Sequence, residues 1–530
     1  MPRRVLLLSD LHFEPRYSPH VRPACKCASE HVHEPSCRHT HPASTLGQIG
    51  CDTSPALMSK SLAAAAAAVP DAALVLLGGD LAWHGSKSRD ETLAVFVNVS
   101  AQIANAFPTS VRSCAAIGNN DVYPDYAVDP SNSTYYRAQA AAISTMCELP
   151  ADAATNLAGR GFFARELEPG FVIVALNTDV YSIESKVRAE TAADPLGQFE
   201  WLEAQLAAAE DAGSEVWVVG HIPPALDSHE RLPMWQEPYA ARYWKLVVRY
   251  SAIISAQLYG HLHTDAYRLF DGDASPAAGA PPLILLPSIS PIFKSNPAFA
   301  VLELPDPTAG AARRFLPSSL TVHYLDLRDG DAAEFVPEYS TSDYGFSALT
   351  DANYRDLTAS FEDSADLQVV TTRSVGDDNA GVKVVATSNA GDASFARFFD
   401  RFKAQNKMDY ARPSCDAPPA FFTDCRECVG GCKAAFICLL RHGLTAADHK
   451  ACLDAIPAPP LAAVARPPDG AIAYAVVGAV LVVLTFFAVA VVLRRRRRRA
   501  PASALASADA TRADSSSGSD NSTYVEMQSS

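Results

Sequence analysis

Five short motifs set a carboxylate, an amide or an imidazole at the end of an apolar run: Asp10-Leu11-His12, Gly79-Asp80, Gly118-Asn119, Gly220-His221 and Gly260-His261-Leu262-His263. Oxygen and imidazole ligands in this mixture suit zinc, iron or manganese rather than calcium. Asp80 has two carboxylate oxygens and can bridge two ions. Two ions about 3.5–4 Å apart polarise a phosphoryl group and turn a bridging water into hydroxide at modest pH. His84, four residues after Asp80, places a further imidazole beside that carboxylate. One Gly-His pair alone is usually only a turn. The motifs taken together, in order and each at a strand end, point to a dinuclear metal centre.

Rigid strands must present these groups. Val5 to Leu8, Ala73 to Leu77, Val111 to Ile117, Phe171 to Leu176, Glu215 to Val219 and Ile253 to Tyr259 read as buried strands. Pro55 to Val69, Arg89 to Phe107, Pro195 to Ala212 and Pro238 to Tyr250 read as helices between them, with shorter strands near Leu283, Phe299 and Val322. This alternation predicts an α/β sandwich up to about residue 330, with polar groups at the carboxyl ends of its strands. Ser342 to Glu362 and Ala393 to Lys403 read as helices, and the polar stretch Gly376 to Gly391 as mobile.

The formal net charge of −15 gives a nucleic-acid-binding role no support. Ala471 to Leu493 is an unbroken run of apolar and small residues. At about 1.5 Å per residue it can cross a hydrocarbon core of roughly 30 Å. The arginine block Arg494 to Arg499 follows directly, which places that end in the cytoplasm. The catalytic part is then expected outside the cell or in an endosomal or lysosomal lumen. Val5 to Leu8 is too short for a signal peptide, so a truncated start is expected, with export driven by the apolar run itself as the alternative. All twelve cysteines precede the apolar run, as an oxidising compartment would have it. Pro19 to Gly50 carries Cys25, Cys27 and Cys37 with His31, His33, His39 and His41, and Cys51 follows it. Its spacings match no zinc template, and it reads as a disulfide-stapled loop rather than a zinc knuckle. Asn98-Val99-Ser100 and Asn132-Ser133-Thr134 are glycosylation sequons. Ile456 to Pro468 is a proline-rich linker, and the tail from Ala500 is expected to be disordered. In that tail Tyr524-Val525-Glu526-Met527 has the form of a sorting signal read by an adaptor.

The order of the five motifs resembles that of the calcineurin-like metallophosphoesterases, and the chain is similar to one branch, the acid sphingomyelinase-like phosphodiesterases. The likeness is carried further by Gly50-Cys51-Asp52, His84, Gly220-His221-Ile222-Pro223-Pro224, the segment Asp194 to Leu202 and the step Asn296-Pro297. The spacing of Cys428, Cys432, Cys438 and Cys452 also fits. The resemblance covers roughly residues 5 to 455 and does not include a saposin domain.

The resemblance implies a four-layer αββα sandwich over 1–330 and a helical, disulfide-rich C-terminal subdomain over 331–455. The linker at 456–470, a transmembrane helix at 471–493 and a cytoplasmic tail at 494–530 complete the expected chain. It further implies that Asp10, His12 and His263 hold one divalent metal, that Asn119, His221 and His261 hold the other, that Asp80 bridges, and that Zn2+ is the ion. His84 is implied as a catalytic histidine that contacts the phosphate or protonates the leaving group. Cys114–Cys147, Cys428–Cys432 and Cys438–Cys452 are implied as disulfides, which leaves Cys415–Cys425.

One position departs from the family pattern, which has Gly-Asn-His. This chain has Gly118-Asn119-Asn120, and Asn120 can hydrogen-bond a phosphate oxygen but cannot donate a proton at neutral pH. The Asn-Asn-Asp form resembles the endopolyphosphatases of the same superfamily. The implied activity is phosphodiester hydrolysis, with sphingomyelin as the family substrate. Nucleotides and polyphosphate are alternatives, and a metal-binding, receptor-like ectodomain is the non-enzymatic one.

Overall fold

A computed structural model of the protein describes residues 3–362 apart from 130–131, 133, 187–192, 229–230, 271–279 and 307–309, together with 430–442, 449–450 and 452. In chain order the first half holds β1 (Arg3–Leu8), α1 (Pro55–Ala68), β2 (Leu74–Leu77), α2 (Arg89–Ala106), β3 (Arg112–Ala115), α3 (Arg137–Cys147), α4 (Ala151–Arg160), β4 (Phe163–Glu168), β5 (Phe171–Ala175) and α5 (Gln198–Ala212). Then follow β6 (Glu215–Gly220), α6 (Glu237–Arg249), β7 (Ile254–Tyr259), β8 (Ala266–Arg268), β9 (Leu283–Leu285), β10 (Ala298–Leu304), β11 (Ser319–Leu325), β12 (Phe335–Ser340), α7 (Asp351–Glu362) and α8 (Gly430–His442).

The strands form two six-stranded sheets, ordered β12-β11-β10-β1-β2-β3 and β4-β5-β6-β7-β9-β8. Strands covered on both faces need continuous apolar runs. Val5 to Leu8, Leu74 to Leu77 and Ile254 to Tyr259 are buried throughout. Both sheets contribute to one hydrophobic core, through Leu6, Val75, Val218 and Leu258 among others. In the first sheet Leu8, Leu77 and Ala115 stand level in parallel register, and in the second Gly220 stands beside Tyr259. The chain therefore leaves β1, β2 and β3 at one edge, and β6 and β7 at one edge, directly before the five motifs.

Helix starts follow local chemistry. Ser54 accepts from Leu57 N at 3.0 Å, with Pro55 in the first turn of α1. The helix expected from Pro195 begins only at Gln198, because Leu196 and Gly197 take left-handed conformations with φ of 59° and 67°. The Asp194 carboxylate then accepts from Phe199 N and Glu200 N at 2.8 and 2.9 Å. The helix expected from Ser342 is likewise shorter: a 3-10 turn at Thr341–Tyr344 ends on left-handed Gly345, and α7 starts at Asp351. The first sheet continues through β12 to Ser340, past the boundary expected at 330. The elements β4, α3 and α4 were not expected; β4 alternates charged residues, and α3 is built largely from alanine and polar residues.

α8 packs on α7 and β8, and Leu269 N donates to Leu440 O at 2.8 Å. Disulfides join Cys114 to Cys147 and Cys438 to Cys452, as the resemblance implies, and Cys25 to Cys37 and Cys27 to Cys51 in the early loop. The pairings implied for Cys415, Cys425, Cys428 and Cys432 lie outside the described residues, as do Gly376 to Gly391, Ala393 to Lys403 and everything from residue 453 onward. Among the described residues no helix is long and apolar enough to cross a membrane; the span expected at Ala471 to Leu493 is outside them.

Candidate metal centre

The backbone holds five of the candidate ligands in conformations that residues other than glycine ordinarily avoid. Asp10, His12, Asp80, His261 and His263 have φ of 50°, 38°, 55°, 72° and 56°. Non-glycine residues held in this region cost about 1–3 kcal/mol each, and survive where surrounding contacts over-determine them. Those contacts are present. The loops after β1 and β2 run side by side, with Asp10 N donating to Gly79 O, His12 N to Asp80 O and Phe13 N to Leu81 O at 2.9–3.1 Å. His261 N donates to both Asp10 carboxylate oxygens at 3.0 Å, which joins the second sheet to the first. Gly118 and Gly260 permit this approach. A Cβ on Gly118 would overlap the Asp80 carboxylate, and one on Gly260 would overlap the Ser9 hydroxyl.

Seven expected ligands converge. Asp10, His12 and His263 offer ligand atoms within 4.8 Å of one another, and so do Asp80, His221 and His261. Asn119 Oδ1 joins the second group, 3.0 Å from His221 Nε2. Asp80 Oδ2 stands between the groups, 3.4 Å from His12 Nε2 and 3.1 Å from His221 Nε2. His12 Nδ1 donates to Ala82 O at 3.0 Å and His221 Nδ1 to Gly78 O at 2.8 Å, which turns both Nε2 atoms inward.

The donor set fits cations. Burial pushes the His12 and His261 imidazoles down to about 3, so both present neutral rings. His12 Nε2 then carries a lone pair, yet it faces His263 Nε2 at 3.2 Å and the Asp80 carboxylate. A buried lone pair beside a buried carboxylate is a donor arrangement that a cation satisfies. Burial would also lower His221, but the Asp80 carboxylate outweighs it and pushes the imidazole up to about 10. The same field that draws a proton to His221 draws a metal ion.

Residues 3–265 match the calcineurin-like phosphoesterase family. This is a calcineurin-like metallophosphoesterase domain. The chain is 32% identical to sphingomyelinase phosphodiesterase D of Dictyostelium discoideum over 48% of its own length and 57% of that protein's. It is 27% identical to sphingomyelin phosphodiesterase of Homo sapiens, over 63% and 53% of the two chains. It is 26% identical to cyclic GMP-AMP phosphodiesterase SMPDL3A of Homo sapiens, over 54% and 62%. The chain thus spans a little over half the length of these curated relatives.

Around the candidate ligands of the metallophosphoesterase domain stand residues whose roles sequence reading did not assign. Asp52 closes the Gly50-Cys51-Asp52 motif. Its Oδ1 accepts from His84 Nδ1 at 2.9 Å, and its Oδ2 from His84 N at 3.0 Å. His84 stacks on His12 with ring centroids 4.0 Å apart and keeps 23% of its side chain open to solvent. Burial works against charge on His84, but Asp52 outweighs it and holds the imidazole above its ordinary value; Asp52, raised by burial, is in turn held low by His84. Asp121 gathers the N–H groups of Asp80, Leu81, Ala82 and Gly118 at 2.8–3.0 Å, fixing the turn that carries Asp80. A buried carboxylate one residue after Asn-Asn was the available signal for it. Asn120, an amide that can hydrogen-bond a phosphate oxygen, donates through Nδ2 and N to the Asp80 carboxylate at 2.9 and 2.8 Å.

Proposed function

We propose that the chain is a dinuclear metal-dependent phosphodiesterase. The observation that carries this reading is the place of Asp80 Oδ2, within 3.4 Å of imidazole nitrogens from both ligand groups. Asp10, His12 and His263 would hold one ion, Asn119, His221 and His261 the other, and Asp80 both. Ions bound there polarise the phosphoryl group and lower the pKa of the attacking water. Asn120 keeps the bridging carboxylate in one orientation. Asp52 fixes the His84 tautomer with the proton on Nδ1 and favours the charged ring, so Nε2–H is available to the departing oxygen. His84 is thereby the general acid. Elemental analysis together with turnover of bis(p-nitrophenyl) phosphate tests the reading. Two transition-metal ions per active chain are expected; active protein free of such metal would overturn it.

The finer reading takes Zn2+ as the ion and a sphingomyelin-type lipid phosphodiester as substrate, in line with the relatives' names. A second reading, nucleotide or polyphosphate hydrolysis, is favoured by Asn120, an amide with no proton to give and already engaged with Asp80. In either case the domain is proposed to lie outside the cytoplasm, in a four-layer αββα sandwich anchored through residues 471–493. The disulfides support an oxidising compartment. Tyr524 to Met527 would then meet a sorting adaptor; a Tyr524→Ala chain found at an unchanged steady-state location would remove that partner.

A further inference from the structure

Phe293 is the one aromatic among the strongly exposed large apolar side chains of the described residues, at 47% exposure. It stands at the mouth of the metal centre, with its ring centroid 4.7 Å from that of His263 and 5.6 Å from that of His84, crossed at 82° and 88°. The loop that carries it is tightly held. Ile289 N donates to Ser9 O and Ser290 N to Asp10 O at 3.2 and 3.0 Å. Ser290 Oγ donates to Asp52 Oδ1 at 3.3 Å, Ser295 Oγ to His263 O at 3.1 Å, and Gly50 N to Pro291 O at 2.9 Å. The same backbone that aims Asp10 and Asp52 therefore also aims an exposed phenyl ring. Leaving such a ring in water forgoes the stabilisation of burying it, a loss that a bound apolar group reverses.

The side of the centre matters. His84, the proton donor of the proposed reaction, touches Phe293, whereas Tyr126 lies by the other ligand group, 6.3 Å from His261. Whatever leaves with the proton of His84 departs along Phe293. We infer that Phe293 is a specificity-determining contact, the wall of a subsite that takes the apolar body of the leaving alcohol. This rests on the phosphodiesterase reading. The chemistry is shared by a hydrocarbon chain and by the flat face of a nucleoside base, and the test separates them.

The metal-loaded full chain is assayed on phosphocholine esters of ethanol, octanol and the 5′-hydroxyl of uridine, whose primary alcohols leave with similar intrinsic difficulty. The wild type is expected to favour the octyl or the uridyl ester over the ethyl ester by about tenfold or more in kcat/KM, the scale of a filled apolar contact. In Phe293→Ala that preference should fall to about twofold, with the ethyl rate nearly unchanged. Phe293→Leu should restore it for octyl if the natural group is a hydrocarbon; failure of Leu but rescue by Phe293→Tyr on uridyl marks a base. Equal losses on all three esters in Phe293→Ala would show a role exerted through His84 and overturn the inference, as would an unchanged preference. A wild type that turns over no diester, bis(p-nitrophenyl) phosphate included, would instead overturn the phosphodiesterase reading itself.

Discussion

Two regions of the molecule are rich in residues of metal-ligating type, and they are built differently. The loop from Pro19 to Gly50, closed by Cys51, has the denser supply of histidine and cysteine. Its cysteines are paired as Cys25–Cys37 and Cys27–Cys51, its His31 Nδ1 meets Glu34 at 2.7 Å, and its His39 Nε2 meets Gln48 at 2.6 Å. The ligands at the strand ends are sparser in sequence. Apart from half-buried His261 they are buried, and backbone hydrogen bonds aim them into two groups beside Asp80, whereas the loop's His31, Glu34 and Cys37, equally close together, include a sulfur already bonded to Cys25. The difference teaches that a metal centre depends on where rigid backbone directs a few groups, and that local abundance of ligand types is a poor guide to it.

The sharpest way to break this contrast is at the shared carboxylate. Asp80→Asn removes negative charge from both ion sites at once and is expected to lower kcat about a thousandfold or more, with loss of bound metal by elemental analysis. Full metal content in that variant would mean that Asp80 does not bridge. Next in size is His84→Ala, expected to cost about 10²–10⁴ on an alkyl phosphodiester. The loss should shrink steadily on esters of increasingly acidic alcohols, which leave without a proton. A loss independent of leaving-group pKa would make His84 a phosphate-binding group.

Asp52→Asn should cost less, on the order of tenfold at neutral pH, and should move the alkaline limb of kcat towards acid. The sign follows from the pair. Against burial, Asp52 holds His84 above the ordinary 6.5, so the charged imidazole's contribution is fully present below pH 6.5 and is lost as pH rises through the raised value. Against burial, His84 holds Asp52 below 3.8, so that contribution is present above pH 3.8 and is lost as pH falls through the lowered value. An alkaline limb that stays in place in Asp52→Asn would detach it from His84.

In the early loop the expected effects are on stability and not on metal. Cys27→Ser with Cys51→Ser opens a link spanning 24 residues and should cost about 2–5 kcal/mol, read as a lower Tm, with two metal ions retained. Smallest of all, His31→Ala and His39→Ala should stay within about 0.5 kcal/mol and leave metal content and kcat unchanged. Loss of a metal equivalent in either would erase the contrast between the two regions.

How much of this was legible beforehand varies by element. The buried parallel strands were, because Val5 to Leu8 and β2 are unbroken apolar runs, β7 is broken only by Ser255 and Gln257, and a glycine or a carboxylate follows each within two residues. The convergence of the seven candidate ligands was legible for the same reason, since each lies just beyond a strand. The charged edge strand β4 was not, because it carries no periodic apolar signal, and neither was α3, whose one-faced stripe Ala140, Ile143, Met146 and Cys147 is diluted by small residues all round the helix.

By itself, then, the sequence determined the strand-end motifs, the oxygen and imidazole character of the centre and the preference for disulfides in the early loop. These are properties of residue type and short spacing. Only the tertiary structure decided that Asp52 would reach His84 across 32 residues, that Asn120 would hold Asp80, and that Phe293 would stand beside both His84 and His263. Each of those contacts joins loops from different strand ends. Their distances are set by the register of two sheets and by left-handed turns that no local pattern of residues specifies.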